Sequence, residues 1–197
     1  MGHREDLLEG AKKCLLEIGY ANTTARDIVA ASGTNLASIG YHFGSKEALM
    51  TQAIIELLGD WGEKFAQPQT ETGLSYRDRF RRVWSTLIAS IDSDRDLALA
   101  SFESFSPSAR QPELGAIVAD GQEQGRIAFA EDFSDPRQPA DAKTQHAIGS
   151  VMLAITSGLI AQKLIDPKRA PGADDILLAF EYVAGALARE GKKRGRQ

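Results

Sequence analysis

The chain has almost no cysteine. A single thiol, Cys14, in 197 residues excludes an internal disulfide framework and any cysteine-rich zinc module, and it suits a reducing cytoplasm. An excess of positive charge is also missing. The 23 basic and 27 acidic side chains give a net charge of −4, which read alone argues against a nucleic-acid partner. The opening MGHREDLLEG has charges where a signal peptide needs an apolar stretch. No segment alternates with period two over a useful length, so strands have no support. There is no internal repeat. No nucleophile elbow, P-loop or dinucleotide glycine pattern is present, and no His, Asp or Glu cluster has metal-ligand spacing. The sequence therefore names no catalytic residue, no metal and no cofactor, and points away from an enzyme.

One run approaches the length of a membrane span. Thr144 to Gln162 carries no charged residue, but it contains Thr144, Gln145, His146, Ser150, Thr156, Ser157 and Gln162, with Gly149 and Gly158. It reads as a helix buried inside protein, in a soluble cytoplasmic chain with no membrane partner. His146 within it reads as a hydrogen-bonded core histidine, and Cys14 as a buried, inert thiol.

What the chain does have is helical periodicity. Hydrophobic content of 43% and charged content of 25% are ordinary globular values. Leu7, Leu8, Ala11, Cys14, Leu15 and Ile18 form one apolar stripe. Leu49, Ala53, Leu57 and Trp61 follow at i+4 steps. Phe80, Val83, Trp84, Leu87, Ile88 and Ile91 form a third stripe, and Ile176, Leu177, Phe180, Val183, Ala184 and Leu187 another. Breakers fall at Pro68–Gly73, Ser106–Pro112, Asp132–Pro139 and Asp166–Gly172. The reading is all-α, with about nine helices. The first three helical patterns are short and closely spaced, and beyond Ser45 they lengthen. This divides the chain into an N-terminal module over 1–45, a larger helical body over 46–190 with its first helix as connector, and a basic disordered tail over 191–197.

The segment Thr23 to Glu47, TTARDIVAASGTNLASIGYHFGSKE, carries the most information. Thr24 and Asp27 form a capping box with Asp in place of Glu. They start a short helix that Gly33 ends from the C′ position. Asn35 then caps a second short helix, Leu36 to Phe43, in which Ile39 and Phe43 form an inward i, i+4 pair. Helix, glycine-containing turn and helix is the helix-turn-helix arrangement, which presents its second helix to a DNA major groove. The outward face of that helix carries Leu36, Ala37, Ser38, Gly40, Tyr41 and His42. Arg26 and Lys46 stand where cations can pair with flanking phosphates. Thr23, Thr24 and Ser45 place hydroxyls beside helix N-termini, which attract phosphate oxygens.

The stretch from about Leu7 to Met50, with GYANTTARDIVAASGT and then the YHFGSKEAL run from Tyr41 to Leu49, resembles the DNA-binding domain of the TetR family of bacterial transcriptional regulators. The rest of the chain resembles the family in being all-helical and of the right length. The resemblance implies a homodimeric repressor that binds double-stranded operator DNA and is released by a small molecule held in the C-terminal domain. It assigns phosphate contacts to Thr24 and Arg26, base reading to Asn35, Leu36, Ala37 and Ser38, and a phosphate clamp to Tyr41, His42 and Lys46. The chain departs from the family pattern at Gly40 and Leu36. A groove-facing Leu36 favours apolar contact, such as a thymine methyl.

An effector pocket is expected among the helices of the larger body. Its candidate lining is Trp84, Leu87, Ile88, Phe102, Phe105, Ile117, Met152, Ile155 and Thr156, which implies an apolar or aromatic ligand. The small face of the uncharged helix, Ser150, Ala154, Ser157, Gly158 and Ala161, is assigned to a twofold interface with the final helix and its Phe180 beside it. Divided by region, residues 1–50 carry 5 basic and 6 acidic groups, 51–188 carry 13 and 20, and 189–197 carry 5 and 1. The acidity therefore belongs to the larger body. A second reading stays open, a helical small-molecule binding protein or enzyme that retains the helix-turn-helix module. So does the choice between repressor and activator.

Overall fold

The computed structural model describes residues 2–65, 74–135 and 137–194. The expected break at Pro68–Gly73, the burial of Trp61 and the side chains of the basic tail lie outside what is described. Ten helices run through the described residues: α1 (His3–Glu17), α2 (Ala25–Ser32), α3 (Leu36–Phe43), α4 (Lys46–Phe65), α5 (Tyr76–Ser93), α6 (Arg95–Glu103), α7 (Phe105–Arg110), α8 (Pro112–Phe133), α9 (Ala142–Ile165) and α10 (Ala173–Arg194). The all-α class expected from periodicity is what the chain adopts.

Two corrections concern helix ends. Ser106–Pro112 reads as a break, yet it holds the short α7. Pro107 falls in the first turn of that helix, where a missing N–H leaves no hydrogen bond unmade. The second lies at the C-terminus, where α10 continues to Arg194, so residues 191–194 are helical rather than an unstructured tail.

Burial sorts the helices into two apolar clusters. The first gathers Leu7, Ala11 and Leu15 of α1, Ile28 of α2, Ile39 of α3, and Leu49, Met50, Ala53 and Ile54 of α4. Gly10 lets α1 lie close on α2, since a Cβ there would stand 2.8 Å from the Ser32 Cβ. The second cluster joins Phe80, Trp84, Leu87 and Ile91 of α5 with Phe133, Met152, Leu159, Ile160, Ile176 and Leu177. Leu57 and Leu58 pack against both clusters. The sequence boundary after residue 45 is thus not a break between cores, because the first half of α4 completes the N-terminal one.

The most extensive helix contact is α8 on α9. It closes tightly at Gly149, where a Cβ would collide with the carbonyl of Arg126. Asp141 caps α9 by accepting the Thr144 N–H at 2.7 Å. By length and composition α9 is apolar enough to cross a membrane, but its buried residues, Gly149, Met152, Thr156, Leu159 and Ile160, face other helices, so it serves as a core helix. His146 corrects the sequence reading: it is exposed, with Nε2 3.9 Å from Glu123 on α8.

The tight crossing gives a stability prediction. Gly149→Ala should lose about 1–3 kcal/mol in urea denaturation through overpacking. Gly59→Ala, where nothing stands within 4 Å, should be neutral or gain about 0.5–1 kcal/mol as a helix-interior glycine removed. Equal effects of the two substitutions would contradict the packing described.

Candidate functional site

The N-terminal site is assembled by capping chemistry local in sequence. Thr24 Oγ1 accepts the Asp27 N–H at 3.3 Å. The Asp27 carboxylate in turn accepts from the Thr24 N–H at 2.8 Å and from its hydroxyl at 2.7 Å. These bonds, the hydroxyl's first, hold the Asp27 carboxyl below its ordinary value of 3.8. Gly33 ends α2 at φ +67°, a left-handed conformation that a side chain would strain. Across the turn Ser32 Oγ lies 2.7 Å from Thr34 Oγ1, and Asn35 Oδ1 caps α3 by accepting the Ser38 N–H at 3.1 Å. Gly44, at φ +77°, ends α3, and Ser45 Oγ accepts the Ala48 N–H at 3.0 Å to start α4. With Ile39 buried and Phe43 packed against the core, the turn sets the rotation of α3.

That rotation leaves Leu36, Ala37, Gly40 and Tyr41 facing outward. Tyr41 is 85% exposed and Leu36 52% exposed. A Cβ added at Gly40 would meet nothing within 4 Å, so the backbone there is bare. The His42 ring is half-buried and stands edge-on to Tyr41 at 4.8 Å. Asn35, Thr24 and Arg26 are exposed beside this face, and Ser38 is half-buried.

Two groups with sequence-assigned phosphate roles turn out to be tied into the fold. Thr23 is buried, and its hydroxyl donates to the Gly19 carbonyl at 2.7 Å, so it is withheld from any phosphate. Lys46 Nζ donates to the Thr23 carbonyl at 3.1 Å and lies 3.5 Å from Glu47. It staples the start of α4 to the segment before α2. Arg4 lies within α1 and not on a free arm, with its guanidinium 5.1 Å from the Phe43 ring centroid.

The larger body holds a partly enclosed cavity of about 380 Å³ between α4, α5, α6, α8 and α9, with the start of α7 at its edge. Of the expected lining, Leu87, Phe105 and Thr156 are in its wall. The rest lie outside that wall. Trp84 and Met152 are core residues, and Trp84 is fully buried with its ring 5.4 Å from that of Phe133. Ile88 and Ile155 pack against the same core. Phe102 lies on the surface against Phe105, with centroids 6.0 Å apart, and Ile117 is half-buried outside the wall. The wall that periodicity missed comes from Ile55 and Leu58 of α4 and from Gly121, Gly125 and Phe129 of α8. Ile54 belongs to this wall and to the N-terminal core.

The outer faces of α9 and α10 form a third feature. Ala154 and Gly158 are exposed, and Ser150 and Ala161 half-buried. Ser157 turns inward to the cavity wall. Phe180 is half-buried, with its ring edge-on against Phe80 at 5.4 Å. Val183 and Leu187 of the last apolar stripe are exposed here, together with Val151, Leu178 and Tyr182, which sequence reasoning passed over.

With this geometry described, comparison with known proteins is decisive. Residues 7–53 match the model of the bacterial regulatory proteins of the tetR family, and residues 75–189 match the tetracyclin repressor-like C-terminal domain. The chain belongs to the TetR family. It is similar to the HTH-type transcriptional repressor AcnR of Corynebacterium efficiens, at 35% identity over 71 residues, a match that spans 36% of each chain. It is similar to the HTH-type transcriptional regulator BetI 1 of Chromohalobacter salexigens at 22% identity over 94% of this chain and 91% of that one. It shares the fold of the multidrug binding protein EbrR complexed with proflavin, with a TM-score of 0.65 and 19% identity over 90% of this chain and 99% of that one. The family is one of bacterial regulatory proteins.

The capping box carries a pH signature. A carboxyl depressed in the fold contributes stability above its unfolded value of 3.8 and loses it as pH falls through the lower folded value. Asp27→Asn should lower the melting temperature at neutral pH. The variant and parent curves should converge on acidification below that value, as followed by circular dichroism. A constant gap down to the acid limit would show that the carboxylate charge plays no part.

Proposed function

We propose that this TetR-family regulator is a cytoplasmic, homodimeric repressor whose recognition helix α3 reads operator DNA and whose cavity takes an apolar or aromatic effector that releases it. The observation that carries this reading is the double membership of Ile54, buried in the core that supports α3 and exposed to the cavity from the other side. A ligand that displaces the α4 wall must move the packing of the recognition module. It shifts the equilibrium only by as much as it binds the released state better.

On DNA, the bare backbone at Gly40 and the small Ala37 support close approach of α3 to base edges, with Leu36 available to a thymine methyl. Asn35 and Ser38 are the polar groups at the entering end. Tyr41 with its neighbour His42, and the exposed Thr24 and Arg26, would contact phosphate. Lys46 serves first as a staple, so its replacement combines loss of a cation with loosening of α4. Two copies are required to place recognition helices in successive major grooves, roughly 34–36 Å apart. The unpaired apolar side chains of α9 and α10 support a twofold four-helix contact. Ala154 and Gly158 would allow backbones to approach, while Leu178, Tyr182 and Leu187 supply area.

Selection of bound sites from a random duplex pool tests the DNA reading, and recovery of no specific site would sink it. On the selected site, Tyr41→Ala should weaken binding uniformly across sequences and reduce the salt slope by about 1 if it holds a phosphate. Gly40→Ala should fold at least as well as the parent and still bind less tightly, because it fills the space reserved for the groove. The dimer reading has its own test. Leu187→Glu should give a folded monomer by light scattering, and an unchanged dimer mass would count against the α9–α10 interface.

A further inference from the structure

The chemistry of the cavity wall narrows the class of molecule that fits it. Leu58, Val83, Leu87 and Ile160 make it largely apolar, and no Lys, Arg or His is among the described residues that line it. Its hydroxyls are mostly committed. Ser101 donates to the Ala98 carbonyl at 2.8 Å, Ser104 to Ser101 at 2.7 Å and Ser157 to Leu153 at 3.0 Å. Thr156 is different. It is 4% exposed, it lines the cavity, and its Oγ1 has no hydrogen-bond partner. A buried hydroxyl without a partner is unfavourable; its oxygen is itself closed off, and rotation of the side chain toward a polar ligand atom in the cavity would remove that penalty.

Charge sets the remaining limits. The ionisable groups in the described wall are Glu131 and Asp132. Among them there is no cation to offset the desolvation of an anion. Neither offers strong attraction to a cation. Glu131 is solvent-exposed, where its charge is screened, and Asp132 is engaged in interactions of its own. We infer that the cavity selects an uncharged ligand, apolar over most of its surface, which presents one hydroxyl or carbonyl oxygen to Thr156 Oγ1. This rests on reading the cavity as the effector site, and it separates this regulator from ones that respond to carboxylates or to organic cations.

The test uses the full chain and a series built on one tricyclic aromatic body, carrying a neutral hydroxymethyl, a carboxylate or an aminomethyl group. Isothermal titration should show the alcohol binding more than about tenfold tighter than the carboxylate and tighter than the ammonium form. Thr156→Val, close to isosteric, should weaken the alcohol by roughly five- to tenfold and leave the parent hydrocarbon unchanged, while Thr156→Ser retains most of the alcohol's affinity. The inference is overturned if the carboxylate or the ammonium form binds as well as the alcohol. It is overturned equally if Thr156→Val leaves alcohol binding intact, or if no member binds up to its solubility. Duplex binding by the unliganded chain is measured in parallel. Alcohol binding without specific duplex binding would sink the regulator reading and leave the ligand class standing, and duplex binding with no ligand bound would do the reverse.

Discussion

The apolar surface of α4 has to be buried twice along its length, and the arrangement of the molecule depends on this. Leu49, Met50, Ala53 and Ile54 are covered by α1 and α3, whereas Leu57 and Leu58 reach both clusters. An amphipathic helix of 20 residues cannot complete its burial within a three-helix module, so the larger body must lie against its second half. The two units are therefore joined by shared packing rather than tethered. α6 strengthens the junction, with Ala100 in the N-terminal cluster and Leu97 and Ala98 in the other, while the neighbouring Ser101 and Ser104 line the cavity.

The recognition module was largely legible in the sequence because its determinants are local. Thr24 with Asp27, Gly33, Asn35 and Gly44 act within a few residues of themselves, and their bonds and dihedral angles are those the residue types favour. The limits appear where a side chain has a distant partner. Thr23 and Lys46 looked available to phosphate, but their mutual link spans 23 residues. Periodicity showed which residues of α2 and α3 turn inward, yet it gave no sign that Arg4 would settle on Phe43.

The cavity was much less legible, for a physical reason. A stripe of large apolar residues marks what is buried, and in this chain the best buried of them fill the core. Trp84 and Met152 pack among Phe80, Phe133 and Leu159. The space left over borders small groups instead, Gly121, Gly125 and Ala128 on α8, and glycine gives little amphipathic signal. The stripe of α10 supplies both an inner and an outer face, and the half-buried Phe180 meets Phe80 on the inner one. The composition argument failed in a related way. Net charge sums a nearly neutral recognition module with an acidic body and so describes neither.

The glycine crossing of α8 and α9 also makes the compliance of the cavity uneven. At Gly149 the two backbones are already in contact through Arg126, so that pair cannot close further. In the cavity wall, the Ile55 side chain lies 3.1 Å from where a Cβ on Gly121 would be, a contact between a flexible group and bare backbone. On the proposed reading, pressure from a bound ligand would be relieved on the softer side, along α4, whose other end packs in the same core as Ile39 of α3.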